Sequence, residues 1–183
     1  MEIDLIYGVA RPPAGSGVRS WETSRHPSSM LTYAASSALS KSGDLMSFMR
    51  TAQEGCLVTG YLLDSVKLLW IIDENADLRL AVEEACHPAK GDEPTIPILI
   101  RNPAGSRDWQ KLGHPSLLTP PHLGRIGGEL ILRSSAGVTG YWELNNSSGR
   151  YGLNCGRTPS QLDACAALFR EAGLRIDTDF QGV

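Results

Sequence analysis

A chain of 183 residues, 42% hydrophobic and 20% charged, is long enough for one well-buried core and short for two, so a single domain over 1–183 is expected. A formal net charge of −3 and a pI near 5.8 provide no field that gathers polyanions over a distance, which argues against duplex nucleic acid as the main partner and leaves open only a local basic pocket around Arg125, Arg133, Arg150 and Arg157. Near the start the longest apolar run is Leu5-Ile6, too short for a leader or a spanning helix, so the expectation is a soluble protein, cytoplasmic or delivered by a leaderless secretion route, with no membrane partner.

Ile3 to Val9 has the β-branched and aromatic content of a short buried strand ending at Arg11-Pro12-Pro13. Ala14 to Ser29 is a long Gly/Ser/Pro loop holding Trp21, Arg25 and His26. Met30, Leu31, Ala34, Ala35, Ala38 and Leu39 recur at helical spacing behind the capping residues Ser28 and Ser29, predicting a helix to about Ser40. Gly43 breaks it, and Asp44 opens a second helix with Leu45, Phe48 and Met49. The segment Cys56 to Glu74 shows two apolar runs around Asp64-Ser65 and reads as a hairpin; Asn75 to Cys86 reads as a helix stopped by His87-Pro88.

Thr95 to Arg101 is expected as a strand whose Pro97 marks an edge. Ala104 to Leu123 is mostly loop, with a short helix at Ser106 to Leu112. Gly127 to Tyr151 forms a hairpin around Ser134-Ser135-Ala136-Gly137, with Glu129 and Ile131 on one face and Leu130 and Leu132 on the other, followed by an Asn-Asn-Ser-Ser-Gly turn. Pro159 to Ala172 carries the clearest helix signals: Thr158 and Gln161 as a capping box, Pro159 in the first turn and Gly173 as the stop. Leu174 to Phe180 is a last short strand or tail. The sum is an α+β fold, one mainly antiparallel sheet with packed helices, in which 1–103 form an N-terminal part and 104–183 a hairpin-helix module.

The densest chemistry lies at Asn145 to Tyr151. Asn145 and Asn146 offer donors and an acceptor each, Ser147 and Ser148 do either, and Arg150 brings a fixed fork of donors. Such a set either recognises a phosphate, carboxylate or base edge, or caps its own turn. A histidine such as His114 titrates near neutrality and suits proton transfer, and Glu129 lies at the start of a strand beside apolar neighbours; the bland alternative for Glu129 is pairing with Arg133 or Lys111. The four histidines lack zinc spacing, so no metal is expected. Cys56, Cys86, Cys155 and Cys165 lack CxxC spacing and read as reduced structural thiols, with Cys56 weighed as a nucleophile of the papain or deamidase type.

Over His114-Pro115-Ser116-Leu117, Gly127-Gly128-Glu129, Leu144 to Tyr151 and the Thr158 to Gly173 helix, the chain resembles a C-terminal module of bacterial polymorphic toxins and secreted effectors. That module's pattern reads His-x-Ser-Leu, Ala-Gly-Glu and Ile-Asn-Asn-x-Ser-Gly-His-Tyr; here Arg150 replaces its histidine and Gly127 its alanine. Leu5 to Pro13, with Arg11 before Pro-Pro, is similar more weakly to mono-ADP-ribosyltransferase toxins, though their Ser-Thr-Ser and Glu-x-Glu are not plainly present. The resemblances imply a toxin or effector enzyme acting on a nucleotide, with NAD as substrate for ADP-ribosyl transfer or hydrolysis. In that reading His114 and Glu129 are catalytic, while Arg11, Asn145, Asn146, Ser148, Arg150 and Tyr151 hold the substrate in one cleft. The alternative is a non-catalytic protein-binding effector or an immunity-like protein, the partners being a protein target or a cognate inhibitor.

Overall fold

The computed structural model describes residues 2–33, 44–91, 93–99, 108–134, 139–153 and 155–182. In chain order the elements are α1 (Glu2–Tyr7), α2 (Ser20–Ser24), β1 (Leu31–Tyr33), α3 (Asp44–Gln53), α4 (Leu57–Asp64), β2 (Leu68–Asp73), β3 (Leu78–Val82), β4 (Glu84–Cys86), β5 (Ile96–Pro97) and β6 (Gln110–Lys111). A 3₁₀ turn (His114–Leu117) follows, then β7 (Gly124–Arg133), β8 (Tyr141–Asn145), α5 (Pro159–Glu171) and β9 (Ile176–Asp179). Six strands form one sheet in the order β1-β3-β2-β7-β8-β9, antiparallel except for the parallel β8/β9 edge. A second, antiparallel sheet has the order β5-β4-β6. This is the expected single-domain α+β fold with a mainly antiparallel sheet. In the six-stranded sheet the strands from 1–103 (β1, β3 and β2) and those from 104–183 (β7, β8 and β9) form two adjoining halves joined by the β2/β7 pairing.

β2 lies between β3 and β7 and is buried along its whole length, which explains its unbroken run Leu-Leu-Trp-Ile-Ile. Leu68, Trp70 and Ile72 face one side, where Ile126, Leu130, Trp142 and Leu144 from the sheet meet Met46 and Met49 of α3 and Leu162, Cys165, Ala166 and Phe169 of α5. Leu69 and Ile71 face the other, against Ala81, Leu117, Leu118 and Tyr151. Among the described residues no α-helix contributes to that second cluster; the 3₁₀ turn and the loop after β8 do, and this brings the polar cluster onto the sheet.

The segments read correctly are those whose ends carry their own chemistry. α5 begins at the predicted capping box, with Gln161 N–H donating to Thr158 Oγ1 (3.3 Å) and Thr158 N–H to Gln161 Oε1 (3.1 Å), and it stops at Gly173 with φ +84°. α3 starts at Asp44 as expected, β7 and β8 make the predicted hairpin, β9 is the last strand, and Pro97 sits on an edge strand.

Other expectations are corrected. Ile3 to Val9 is helix α1 rather than a strand: Glu2 and Asp4 lie in its first turn, where the helix dipole favours acids, and Gly8 at φ +83° ends it with its N–H on the Asp4 carbonyl (3.0 Å). The Ala14 to Ser29 loop contains α2. Residues 31–33 are strand β1, because the hydroxyls and N–H groups of Ser28 and Ser29 turn to the Glu84 carboxylate instead of capping a helix; the rest of that expected helix lies outside the described residues. The predicted 56–74 hairpin is α4 followed by β2, and the predicted helix 75–86 is β3 and β4.

The real hairpin is one segment later, β2 to β3. Asp73 closes it by accepting from Asn75 N–H and Asp77 N–H (2.9 Å each) through Oδ1 and from the Arg79 fork through Oδ2. Within 106–112 the described part is not helical, and Gln110–Lys111 pairs with β4. Among the described residues no helix is long and apolar enough to cross a membrane. All four cysteines are free, with Cys56 exposed and the others buried.

Candidate functional site

The cluster is organised by what glycine permits. Gly128 of β7 has no room for a side chain: a Cβ there would lie 2.7 Å from the Asn145 carbonyl carbon and 2.8 Å from Asn146 Cα. At Gly152 it would meet the Gly127 oxygen at 2.5 Å and the Asn146 carbonyl carbon at 2.8 Å. The chain leaving β8 therefore folds back directly onto the β7 backbone, and the predicted Asn-Asn-Ser-Ser-Gly turn is the fold-back itself.

Its amides are engaged in building that shape. Asn145 Oδ1 accepts from Glu129 N–H (3.0 Å) and Ser147 N–H (2.9 Å), ending the β7/β8 ladder with a side chain, while its carbonyl accepts from Trp70 Nε1 (3.2 Å). Asn146 makes a reciprocal pair with the backbone of Gln181, accepting at 2.7 Å and donating at 3.1 Å, which fastens the C-terminal segment. Ser148 Oγ accepts from Tyr151 N–H (3.3 Å), and the buried Tyr151 hydroxyl donates to the His122 carbonyl (2.9 Å). Burial pushes the Tyr151 phenol well above its ordinary value of 10.0, so it stays a neutral donor.

Arg150 meets Glu22, the residue that reading the sequence missed. Its Nη1 donates to both Glu22 oxygens (2.8 and 2.7 Å), and Glu22, fully buried on α2, also accepts from Arg19 N–H (2.9 Å) and Gly113 N–H (3.2 Å). One carboxylate thus ties α2, the turn before His114 and the fold-back loop together. No local pattern could announce it, since Arg150 is 128 residues away. His114 donates from Nε2 to the Gly128 carbonyl (2.9 Å) and is buried; the burial lowers its pKa from 6.5, against the Gly128 bond and the Glu129 charge that favour the proton. Glu129 pairs with Lys67 (3.0 Å), not with either expected cation: Arg133 is held by Glu143 (2.7 Å) and Lys111 by Glu83.

The seven downstream candidates, His114, Glu129, Asn145, Asn146, Ser148, Arg150 and Tyr151, do converge, but onto backbone and onto each other's neighbours. Arg11 does not join them. Its backbone pairs with Gly124, the first residue of β7, five residues and about 17 Å from Glu129 at ~3.4 Å per residue, and its side chain is exposed.

Cys56 is exposed at the start of α4, its pKa lowered by hydrogen bonds from Thr59 and Val58. Among the described residues no group of three or more His, Cys, Asp or Glu could hold a metal. A groove of about 230 Å³ lies elsewhere, lined by Trp21, Arg25 and Pro88 among others, but the Arg25 guanidinium already donates to the carbonyls of Lys90, Gly91 and Glu93.

Comparison of the chain with protein-family models, with curated proteins and with solved structures yields no match.

Proposed function

We propose that this chain is a non-catalytic recognition protein of the bacterial toxin and effector kind, an effector or immunity-like protein that binds a protein partner through its surface. The observation that supports this most is the engagement of Arg150 by a fully buried Glu22. Arg150 Nη1 and the charge it carries are committed to Glu22, and drawing Arg150 away to a substrate phosphate or carboxylate would leave Glu22 uncompensated inside the protein, at about 3–5 kcal/mol. His114 is similarly unsuited to take up a proton, because its ring would have to become charged within a buried setting. The toxin-module resemblance of the His114 to Gly173 stretch supports the effector class.

The reading is also supported by α4, where Val58, Tyr61 and Leu62 share one side and are 72%, 71% and 54% exposed, with Phe48 of the adjoining α3 also exposed. Large apolar groups at i, i+3 and i+4 suit a protein partner that contributes apolar side chains of its own. The test combines two measurements. Partner capture should give a protein that re-forms a complex when purified and is lost in Tyr61→Glu, and incubation with NAD should give no turnover. NAD consumption that disappears in Glu129→Gln contradicts the proposal. That enzymatic reading, ADP-ribosyl transfer or NAD hydrolysis, keeps one supporting observation, the exposed side chain of Arg11, which has no ion pair among the described residues.

A further inference from the structure

The groove of about 230 Å³ beside α2 is lined by Ser20, Trp21, Ser24, Arg25, Pro88 and Gly91. Three of these lie on α2 and Arg25 follows it directly. That helix is anchored from below, because Glu22 is fully buried and bonded to Arg150 (2.8 and 2.7 Å). Trp21 Nε1 donates to the Lys111 carbonyl (3.2 Å), and the Arg19 guanidinium carbon lies 5.6 Å from the Trp21 ring centroid, so the indole is oriented in advance. Arg25 donates from Nη1 to the carbonyls of Lys90 (3.2 Å) and Gly91 and from Nη2 to the carbonyl of Glu93.

Those three bonds fix the plane of the guanidinium. Of the five N–H donors of an arginine, they leave the Nε–H and one Nη2 hydrogen of Arg25 without an acceptor among the described residues. No carboxylate among the described residues pairs with it: Glu22 is taken by Arg150, and Glu93 by Lys90 (2.8 Å). The Ser20 hydroxyl on the same wall also has no partner among the described residues, and none of the lining residues is an acid. The groove therefore offers one positive charge, two coplanar donors and a hydroxyl beside an indole and a prolyl ring. A carboxylate matches the charge and the donors, whereas a phosphate monoester, at roughly −1.5 to −2, would leave charge uncompensated. The two rings favour a flat apolar group. A volume of about 230 Å³, below the ~300–1,000 Å³ of pockets for drug-sized ligands, limits that group to a single ring-bearing unit.

We propose that this groove binds an aromatic carboxylate, its ring against Trp21 and Pro88 and its carboxylate on Arg25 with the Ser20 hydroxyl alongside. A free aromatic acid and the C-terminal aromatic residue of a peptide present the same chemistry. The lining shares no residue with the His114 to Tyr151 cluster or with α4, and the site does not depend on the partner-binding reading of α4.

The experiment is calorimetric titration of the full chain with benzoate and N-acetylphenylalanine, each beside its neutral amide. Saturable binding of at least one acid is expected, with its amide weaker by about tenfold or more, because the amide lacks the anionic oxygen that Arg25 holds. Benzoate binding at least as tightly as N-acetylphenylalanine identifies a free aromatic acid as the ligand, and tighter N-acetylphenylalanine identifies a peptide C-terminus. Ser24→Glu puts a carboxylate on an exposed lining residue and should weaken binding of the acid about tenfold or more. Arg133→Ala, at an exposed arginine paired with Glu143, should bind as the wild type does. Trp21→Ala should also weaken binding; because Trp21 bonds the Lys111 carbonyl, circular dichroism checks its folding, and Ser24→Glu decides the matter if it unfolds. No saturable binding of either acid, an amide that binds as its acid does, or binding that Ser24→Glu leaves unchanged or Arg133→Ala weakens equally, overturns the proposal.

Discussion

Arg150 and Arg157 leave the same loop seven residues apart, and the protein uses them in opposite ways. Arg150 reaches a carboxylate that is fully buried and itself held by two further N–H groups. Among the described residues Arg157 reaches only carbonyl oxygens and keeps one nitrogen over Gly8. Both are guanidinium groups in a polar loop, and composition cannot separate them. Their partners do: the charge of Arg150 is cancelled by a buried carboxylate and fastens three segments, while Arg157 ties its loop to the carbonyls of Val9 and Tyr151.

The largest effect should come from forcing the fold-back loop off β7. Gly128→Ala puts a methyl group into the Asn145 backbone, where neither side can yield as a flexible side chain would. Failure to fold, or a loss of about 4–5 kcal/mol in urea unfolding, is expected. Asn145→Ala tests the same region more gently. It leaves the N–H groups of Glu129 and Ser147 without their acceptor and should cost about 2 kcal/mol. A surface turn would show a few tenths.

Acid should then expose a difference between the two kinds of buried group. For His114 the folded pKa is depressed, chiefly by burial, so its contribution to stability is present above the unfolded value of 6.5 and is lost as pH falls from there toward the folded value. For Glu84, burial pushes the pKa up but bonds from Ser29, Thr95 and the Ser28 and Ser29 N–H groups outweigh it, and the net shift is downward from 4.5. Its contribution is therefore present above 4.5 and is lost as pH falls through the lowered folded value. Unfolding free energy measured against pH should decline in two stages, and His114→Gln should remove the upper one while keeping the lower. The smallest effect is predicted for Arg11→Ala, within about 0.5 kcal/mol of wild type, because its side chain is exposed.

The same contrast explains what could be read in advance. α5 was legible because its cap, first-turn proline and terminal glycine lie within a few residues of the helix they define. The β7/β8 pairing was legible from two apolar runs, while the predicted turn at Ser135, Ala136 and Gly137 lies outside the described residues. Residues 75–86 were misread because Leu78, Ala81, Val82 and Ala85 fit a helical face while Leu78, Leu80 and Val82 fit a strand face, and the deciding contact is the Asp73 side chain outside the segment. At the site, the residues at Asn145 to Tyr151 were found by their density, but their orientation was set by Glu22, Trp70 and Gln181, all distant in sequence. Whether a polar group faces protein or solvent is a tertiary property, so the cluster was visible and its role was not.

The central claim, that the cluster builds the fold, rests on the Glu22–Arg150 pair, and a double-mutant cycle measures it directly. Unfolding free energies of wild type, Glu22→Gln, Arg150→Met and the double variant should show each single change costing about 3 kcal/mol or more, and the double variant costing much less than their sum, because removing both partners leaves no buried charge unpaired. Additive single effects below about 0.5 kcal/mol each, with Arg150→Met instead abolishing binding of phosphate or NAD, would show that Arg150 serves a ligand and would contradict the account.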